Sequence, residues 1–346
     1  MELETLKDLT MLFGPSGHEK DVAKHLLNKY QELGLKTHQD SFGNVYGLKK
    51  SKNKDAKKVL VLAHMDEVGF MVSKFLDNGT VKVMPLGGFN SEIILSSRAI
   101  LKKSDGEFLY GTALALPPHL LGNKASEKSS IDDMCFDFGF ISKEEAKREI
   151  NIGDPIVLEG NFSLIGNGKR ILAKALDDRM GLAMSIEAIK RINKELDYDL
   201  YIGGSCQEEV GHRGSYTIIN DIKPDLVIVI DCSPSTETEV GSLNKGVLLR
   251  VLDRSMIARK DLIAFQKKCL EEVNVPYQYY IGKGGTDAGS IHQMGIPTLT
   301  YCLCARAIHS PSSILDVEDY QNAIIGLVHM LKSLKEEDLL RFNYKL

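Results

Sequence analysis

Five short stretches of the sequence carry side chains that could hold metal ions, and each lies where a predicted strand ends or a predicted helix begins. The residues are His64, Asp66, Asp177, Glu208, Glu209, Asp231 and His309. Imidazole nitrogens and carboxylate oxygens form a donor set that suits Zn²⁺, Co²⁺ or Mn²⁺, and none of these positions is a cysteine. The number of donors is enough for two divalent ions that share one bridging carboxylate.

The first two stretches each allow two interpretations. His64 and Asp66 end the apolar run VLVLAHMD. Residues i and i+2 of a strand point to the same side, so the Asp66 carboxylate can orient a His64 imidazole that binds a metal. Asp177 and Asp178 precede a predicted helix, where either can cap the helix or bridge two ions. These residues by themselves leave the choice open.

The remaining stretches follow buried strands. Glu208 and Glu209 come after an apolar run, where two adjacent carboxylates are costly unless cations accompany them. Because neighbours in sequence diverge, one can bind a metal while the other carries a proton at the substrate. Asp231 ends the run DLVIVID, and His309 follows the run TLTYCLC. Taken singly, Asp231 could cap the next turn and His309 could be a structural histidine whose hydrogen bonds are made within the protein. Their joint placement at predicted strand ends favours a metal site.

Strand and helix signals alternate over both ends of the chain and predict an α/β fold, with a mixed sheet sandwiched by helices. Helices are expected over about residues 4–34, 179–192, 261–273 and 317–335, and near Ser215. The continuous apolar run VLVLAHMD is typical of a strand buried on both faces, as in a parallel sheet.

The middle of the chain has a different pattern. Short alternating segments such as TVKVMPL are separated by Gly, Asn and Asp, and one helical patch, SKEEAKREI, interrupts them. We therefore predict that residues 69–167 form a small β-rich domain. It would be inserted into a catalytic domain made of residues 1–68 and 168–346.

Composition excludes several classes of protein. The chain has 346 residues, of which 43% are hydrophobic, so it can bury a large core. A net charge of −4 without a basic block gives no reason to expect nucleic acid as a partner. No segment has the apolar length of a membrane span, and the start lacks the features of a signal peptide. The six cysteines form no CxxC pair and lie mostly in apolar runs, which predicts reduced thiols and a cytoplasmic location.

Six motifs, taken in order, resemble the tetrahedral metalloaminopeptidases and in particular their glutamyl aminopeptidase branch. They are AHMDEVGFMV, ALDDRMG, QEEVGHRG, VIDCSPS, GKGGTDAG and ARAIHSP. The resemblance implies a zinc-exopeptidase-like fold with an inserted small β-barrel that serves as a dimerisation or lid domain. It also implies two divalent ions (Zn, Co or Mn) per subunit and hydrolysis of N-terminal residues from peptides.

The resemblance assigns metal ligands to matching positions. Asp177 would bridge the two ions, His64 and Asp231 would complete the metal pair, and Glu209 and His309 would hold the other ion. Every one of these positions carries the expected residue type.

The resemblance also assigns two roles in the chemistry. Glu208 would be the general base and Asp66 would orient His64. Asp178 stands where some relatives have Asn, which leaves these assignments unaffected. Ala307 stands where relatives often have an aromatic residue, which weakens any transfer of substrate preference.

Substrate preference depends on the charges around the site. The segments YQYY and GKGGTDAG resemble those of the glutamyl branch, and this resemblance predicts a preference for Glu or Asp at the substrate amino terminus. Such a substrate side chain needs a cation in the pocket. The candidates are Lys283, Arg254 and Arg306. Asp231 or Glu67 could recognise the free α-amine of the substrate. The glycine-rich segment 284–289 predicts a helix N-cap, and the resemblance implies that this loop lies close to the substrate, with no metal role.

The resemblance further implies a homo-oligomer, a dodecameric tetrahedron built from dimers, that acts on peptides. One rival function is an N-acyl amino acid deacylase or other amidohydrolase on the same scaffold, which would cleave acylated rather than free amino termini. A second rival is a non-catalytic assembly protein, which would need a lost ligand or base, and none is missing. A glycosidase would need two carboxylates beside a sugar cleft and no metal. The two histidines among the candidate ligands argue against that function.

Overall fold

A computed structural model of the chain describes residues 2–115, 130–131, 134–236 and 241–343. Within these residues the helices are α1 Glu2–Met11, α2 Lys20–Glu32, α3 Lys143–Glu149, α4 Leu176–Arg191, α5 Arg213–Ile222, α6 Lys260–Glu272, α7 Asp287–Gln293, α8 Val317–Ser333 and α9 Glu336–Arg341. Among these described helices, none has the combination of length and apolar character that crossing a bilayer requires.

Two groups of strands are present in the described residues. The large sheet contains β1 Lys36–Gln39, β2 Val45–Lys49, β3 Lys58–His64, β10 Ser163–Ile165, β11 Arg170–Ala173, β12 Asp199–Ser205, β13 Leu226–Pro234, β14 Val247–Leu252, β15 Tyr277–Ile281, β16 Thr298–Arg306 and β17 Ser313–Asp316. The second group contains β4 Gly69–Phe75, β5 Val81–Leu86, β6 Arg98–Lys102, β7 Phe108–Ala113, β8 Phe136–Asp137 and β9 Pro155–Leu158.

Parallel strands form the centre of the large sheet. Strands β12, β3, β13 and β16 lie side by side in that order, all in the same direction. Antiparallel strands continue the sheet on both sides, β2 and β1 beside β12, and β17, β11 and β10 beyond β16. The carboxyl ends of the central strands therefore meet at one edge of the sheet, which is where ligands bind in open α/β sheets.

Helices cover both faces of this sheet, and strand β3 shows the reason. Val59, Val61 and Ala63 point into the larger hydrophobic core, which α1, α2, α4, α6, α8 and α9 share. Leu60 and Leu62 point into a second core on the opposite face, beneath α5 and α7. Because a strand with apolar side chains on both faces must be covered twice, this packing confirms the predicted sheet sandwiched by helices.

The second group of strands closes into a barrel in the order β4, β5, β8, β7, β6 and β9. Phe70, Phe136 and Ile156 lie at 0% exposure in its core, against α3. The expected small β-barrel is thus confirmed. Strand β10, however, lies before the predicted boundary at residue 167 and pairs with β11 in the large sheet. The chain therefore leaves the barrel between Leu158 and Ser163.

Several strands are absent from the sequence predictions, and one of them, β14, contributes to the site. Strand β14, in the run VLLRVL, pairs in parallel with β15 and touches β16 at one position. Its apolar run is short and interrupted by Arg250, so neither the helical nor the strand pattern is clear. This strand matters for the site because Arg250, and Arg254 just beyond it, line a cleft together with Asp231.

Arg179 joins the amino-terminal segment to the end of β3. It is completely buried, at 0% exposure. Its Nε donates a hydrogen bond to the Met65 carbonyl oxygen at 2.7 Å, its Nη1 donates to that of Leu9 at 2.8 Å, and its Nη2 donates to that of Gly14 at 3.2 Å. A planar guanidinium with five N–H groups can serve several carbonyls at once.

An ion pair completes this anchor. Lys174 Nζ lies 2.6 Å from Glu67 Oε1, and Arg179 Nη2 lies 3.5 Å from the same oxygen. All three side chains are buried. These charges compensate one another away from water. Removal of either cation would therefore leave the buried Glu67 carboxylate with too little positive charge beside it.

We expect Arg179→Met to destabilise the protein by about 3–5 kcal/mol, since the change leaves three buried carbonyls and part of the Glu67 charge uncompensated. Arg191→Met, at the half-buried end of the same helix, is the matched control and should cost less than about 1 kcal/mol. Urea unfolding followed by circular dichroism measures both. Equal losses in the two variants would contradict the anchoring role of Arg179.

Candidate metal centre

His64 ends strand β3, beside Ser205 at the end of β12. Its Nε2 lies 3.0 Å from Asp177 Oδ1, and its Nδ1 lies 3.0 Å from the backbone oxygen of Asp66. A carbonyl oxygen accepts hydrogen bonds and donates none, so Nδ1 carries the proton of the neutral imidazole. The Nε2 lone pair consequently faces the cluster, in the tautomer that a metal ligand needs.

Asp177 stands between the two histidines. Its Oδ1 faces His64, and its Oδ2 lies 3.3 Å from His309 Nε2. The next residue, Asp178, accepts a hydrogen bond from the Gly181 N–H at 3.1 Å. Asp178 therefore caps the regular part of α4, as one interpretation of the pair predicted, while both oxygens of Asp177 point into the cluster.

Glu209 and His309 lie on the other side of Asp177. His309 Nε2 is 3.2 Å from Glu209 Oε1, and His309 Nδ1 is 2.7 Å from the backbone oxygen of Gly88. Gly88 belongs to the loop that follows barrel strand β5. The inserted barrel thus contacts a residue of the cluster directly.

The predicted ligands form two overlapping groups. In each group, the ligand atoms lie within 4.8 Å of one another. The first group is His64, Asp177 and Asp231, and the second is Asp177, Glu209 and His309. The structure therefore brings together all five residues, with Asp177 common to both groups. A third group, His64 with Glu208 and Glu209, overlaps them, so proximity does not separate a base from a ligand at Glu208.

Asp66 has a different contact from the one expected. Its carboxylate Oδ1 is 3.5 Å from His64 Nδ1, farther than its own backbone oxygen at 3.0 Å. The carboxylate instead accepts hydrogen bonds from Ser16 Oγ at 2.6 Å and from the backbone N–H groups of Glu208 and Glu209 at 3.0 and 3.2 Å. Asp66 therefore holds His64 through its backbone and the Glu208–Glu209 turn through its side chain.

Glu208 faces the cleft beside a residue that the sequence analysis did not single out. His212 Nε2 lies 3.1 Å from Glu208 Oε1. The two residues are four apart, across the turn that leads into α5, and both line the same cleft. The QEEVGHRG motif contains this histidine, so the i, i+4 spacing in a turn was the available signal.

The charges of the cluster fit divalent cations. Burial raises the pKa of Asp231, and the neighbouring Asp177 and Glu208 raise it further. Burial likewise raises the pKa of Glu208. Burial would lower the pKa of His309, but its hydrogen bonds with Asp177 and Glu209 outweigh that effect and raise it to about 11. Such crowding of buried carboxylates calls for positive charge, and an N/O donor set without thiolate suits Zn²⁺, Co²⁺ or Mn²⁺.

A cleft of about 670 Å³ opens over the cluster. Its walls include Arg250, Arg254, Tyr280, Gly284 and Gly285, together with Glu208 and Asp231. Among the described residues that line it, Lys283 and Arg306 do not occur. Both side chains are exposed. The structure thus separates Arg254 from the other two proposed cations.

The two arginines of the cleft have different surroundings. Arg250 is only 3% exposed, its Nε lies 2.9 Å from Asp253 Oδ2, and its Nη2 donates to the Gly284 carbonyl at 3.0 Å. The Arg250–Asp253 pair is close but not aligned as a hydrogen bond. Arg254 is exposed at the cleft wall. Arg250 therefore supports the wall, and Arg254 is accessible to a substrate.

Two further expectations have a clear outcome. Thr286 Oγ1 accepts a hydrogen bond from the Ala288 N–H at 3.1 Å, which confirms the predicted N-cap of α7. The glycines before it line the cleft. Glu67, in contrast, is a poor candidate for binding an α-amine, because Lys174 already compensates its charge at 2.6 Å.

Comparison with known proteins agrees with this geometry. The sequence profile of the M42 glutamyl aminopeptidase family matches residues 43–325. The chain is 37% identical to the glutamyl aminopeptidase of Lactococcus lactis over 97% of this chain and 98% of that protein.

Solved structures extend the likeness to the whole fold. A TET aminopeptidase from a marine sediment Thaumarchaeota archaeon superposes with a TM-score of 0.94 at 32% identity, over 99% of this chain and 98% of that one. The TET1 peptidase of Pyrococcus horikoshii, which can assemble into a tetrahedron or a large octahedral shell, gives 0.89 at 27% identity, over 96% and 100% of the chains. The chain is therefore a peptidase that belongs to the M42 glutamyl aminopeptidase family.

Proposed function

We propose that this protein is a two-metal aminopeptidase that releases N-terminal residues from peptides. The observation that carries the proposal is the position of Asp177, whose carboxylate is shared by two groups of ligand atoms. His64 and Asp231 would hold one ion with it, and Glu209 and His309 would hold the other. When bound, the ions would lower the pKa of the attacking water and offset the charge that develops on the substrate carbonyl.

Glu208 is the residue that we assign to proton transfer. Its carboxylate would accept a proton from the attacking water and pass it to the departing amine as the peptide C–N bond breaks. Asp66 supports this role because it fixes the Glu208 backbone N–H at 3.0 Å. His212, at 3.1 Å, orients the carboxylate from the cleft side.

The decisive experiment is hydrolysis of a panel of aminoacyl p-nitroanilides by metal-free and metal-restored protein. We expect chelation to abolish release of the free amino acid, and Zn²⁺, Co²⁺ or Mn²⁺ to restore it. N-acylated versions of the same substrates should stay intact. Hydrolysis of acylated amino acids in place of free ones would favour the deacylase, and no metal-dependent release from any substrate would refute the proposal.

We expect Glu208→Gln to lower kcat by about 10²- to 10⁴-fold, since an amide cannot accept the proton. Metal content should stay near the wild-type value because the amide has nearly the same shape. Glu195→Gln, an exposed glutamate that pairs with Lys52, is the control and should leave kcat unchanged. Steady-state kinetics with metal analysis separate the two effects. A Glu208→Gln enzyme with near-normal kcat would show that another group is the base.

We further propose that the enzyme prefers Glu or Asp at the substrate amino terminus, with Arg254 as the recognising cation. Arg254 is exposed on the cleft wall, whereas Arg250 is buried against Asp253. A guanidinium matches a carboxylate in shape and charge, so it can pair with the substrate side chain in two hydrogen bonds.

Arg254→Ala should therefore lower kcat/KM for glutamyl substrates by about 10- to 150-fold, the loss of a charged hydrogen bond worth about 1.5–3 kcal/mol. The value for alanyl substrates should change little. Lys283→Ala is the matched control, because this exposed lysine lies on the neighbouring loop outside the cleft wall. Equal losses on glutamyl and alanyl substrates, or a selective loss in Lys283→Ala, would contradict the assignment.

Assembly and location are proposals as well. The TET relatives support a homo-oligomer, and we infer a dodecamer built from dimers, which sedimentation of the purified chain would test. Five of the six cysteines are buried, as expected of reduced thiols, and this supports a cytoplasmic location.

A further inference from the structure

The barrel meets the metal cluster through one short segment, residues 86–89, which we call the barrel loop. It begins at the end of β5 and carries two consecutive glycines. The Gly88 carbonyl oxygen lies 2.7 Å from His309 Nδ1. Because a carbonyl accepts and does not donate, this contact places an N–H on Nδ1 and leaves Nε2 as the nitrogen that faces Glu209 and Asp177.

The two histidines of the cluster are oriented in the same way by different parts of the chain. For His64, the acceptor is the Asp66 backbone oxygen at 3.0 Å, two residues along the same strand end. For His309, it is the Gly88 oxygen at 2.7 Å, from the barrel. Partners of this kind fix the tautomer and the ring plane of a ligating histidine. The two halves of the cluster thus depend on different elements.

Gly87 allows the barrel loop to pack against Glu209, the residue that lies beside His309 in the cluster. Its φ is +93°, a region that glycine adopts readily and other residues do not. A Cβ at this position would lie 2.7 Å from Val68 Cγ1, 3.2 Å from Glu209 Cβ and 3.4 Å from Glu209 Oε2. Any side chain would therefore collide with Val68, press on Glu209 or move the loop, and with it the Gly88 carbonyl.

Phe89 fastens the loop to the barrel. Its ring stacks on Phe70 with centroids 4.4 Å apart and an angle of 14° between the planes. Phe70 is completely buried in the barrel core. The position of the loop relative to Glu209 and His309 is consequently set by how the barrel sits on the large sheet.

We propose that the barrel loop is a positioning element for the metal subsite of Glu209 and His309, so that the barrel controls the affinity for one of the two ions. This inference rests on the proposed two-metal function. The subsite of His64 and Asp231 lies at the end of β3 and in the carboxyl-terminal half of β13, and it keeps its own backbone acceptor from Asp66. Disturbance of the loop should therefore affect the two ions unequally.

The test is titration of metal-free protein with Zn²⁺ in competition with a chromophoric chelator, and with Co²⁺ followed by its absorption spectrum. Wild-type protein should bind two ions per chain. We expect Gly87→Ala to bind one with unchanged affinity and the other about 10- to 100-fold more weakly, the usual effect of disturbing a partner of a ligand. The Co²⁺ spectrum of the second equivalent should change and that of the first should not.

Gly106→Ala is the matched control. Gly106 lies in the turn between β6 and β7 of the same barrel, and its φ is +94°, nearly the value at Gly87. Among the described residues, no heavy atom lies within 4 Å of the position of its Cβ. The substitution imposes the same backbone strain without a contact to the cluster, so both affinities should equal those of the wild type.

Each outcome decides the matter. Unchanged affinities in Gly87→Ala, or equal weakening in Gly106→Ala, would refute the inference while the two-metal proposal stands. A wild-type protein that binds fewer than two ions would refute both. If circular dichroism shows that Gly87→Ala does not fold, Phe89→Ala decides instead. It releases the loop from the barrel without backbone strain, so a weaker second ion supports the inference and two unchanged ions overturn it.

Discussion

The concentration of buried carboxylates at one edge of the sheet is the constraint on which the rest of the structure depends. Asp177, Glu208, Glu209 and Asp231 belong to overlapping groups whose ligand atoms lie within 4.8 Å, and each of the four is less than a tenth exposed at its side chain. Such a group is unfavourable away from water unless cations accompany it. The folded protein therefore has an uncompensated negative potential at this edge of the sheet, which bound cations would offset.

Rigid backbone contacts make this arrangement specific. Arg179 joins α4 to three carbonyls of the amino-terminal segment and β3, close to where Asp177 begins the same helix. Asp66 joins the end of β3 to the Glu208–Glu209 turn. The barrel adds the Gly88 carbonyl for His309. The residues that we propose as ligands are thus held in one geometry, which a metal site needs if its ions are to be bound in a defined way.

Much of the fold and of the ligand set could be predicted from the sequence. The candidate ligands are visible because an apolar run of sequence that ends in His64 or Asp231 is unusual unless the polar group binds a partner. The buried strands are visible because runs such as VLVLA have no polar face. The barrel is visible as a change of pattern after Gly69, although its carboxyl boundary is not. Strand β10 is too short and too exposed to reveal that it belongs to the large sheet.

Contacts between distant segments were decided by the tertiary structure. Residue types name Lys283, Arg254 and Arg306 equally as cations, and packing alone places Arg254 on the cleft wall. Glu67 looks available until Lys174 is seen beside it. The Asp66 carboxylate lies 3.5 Å from His64 Nδ1, and the sequence did not reveal that it also accepts hydrogen bonds from the Glu208–Glu209 turn. By itself, therefore, the sequence determined which chemical groups this protein has and on which strand ends they lie. The tertiary structure decided which of them face the cleft and which are neutralised, because both depend on neighbours that are far away along the chain.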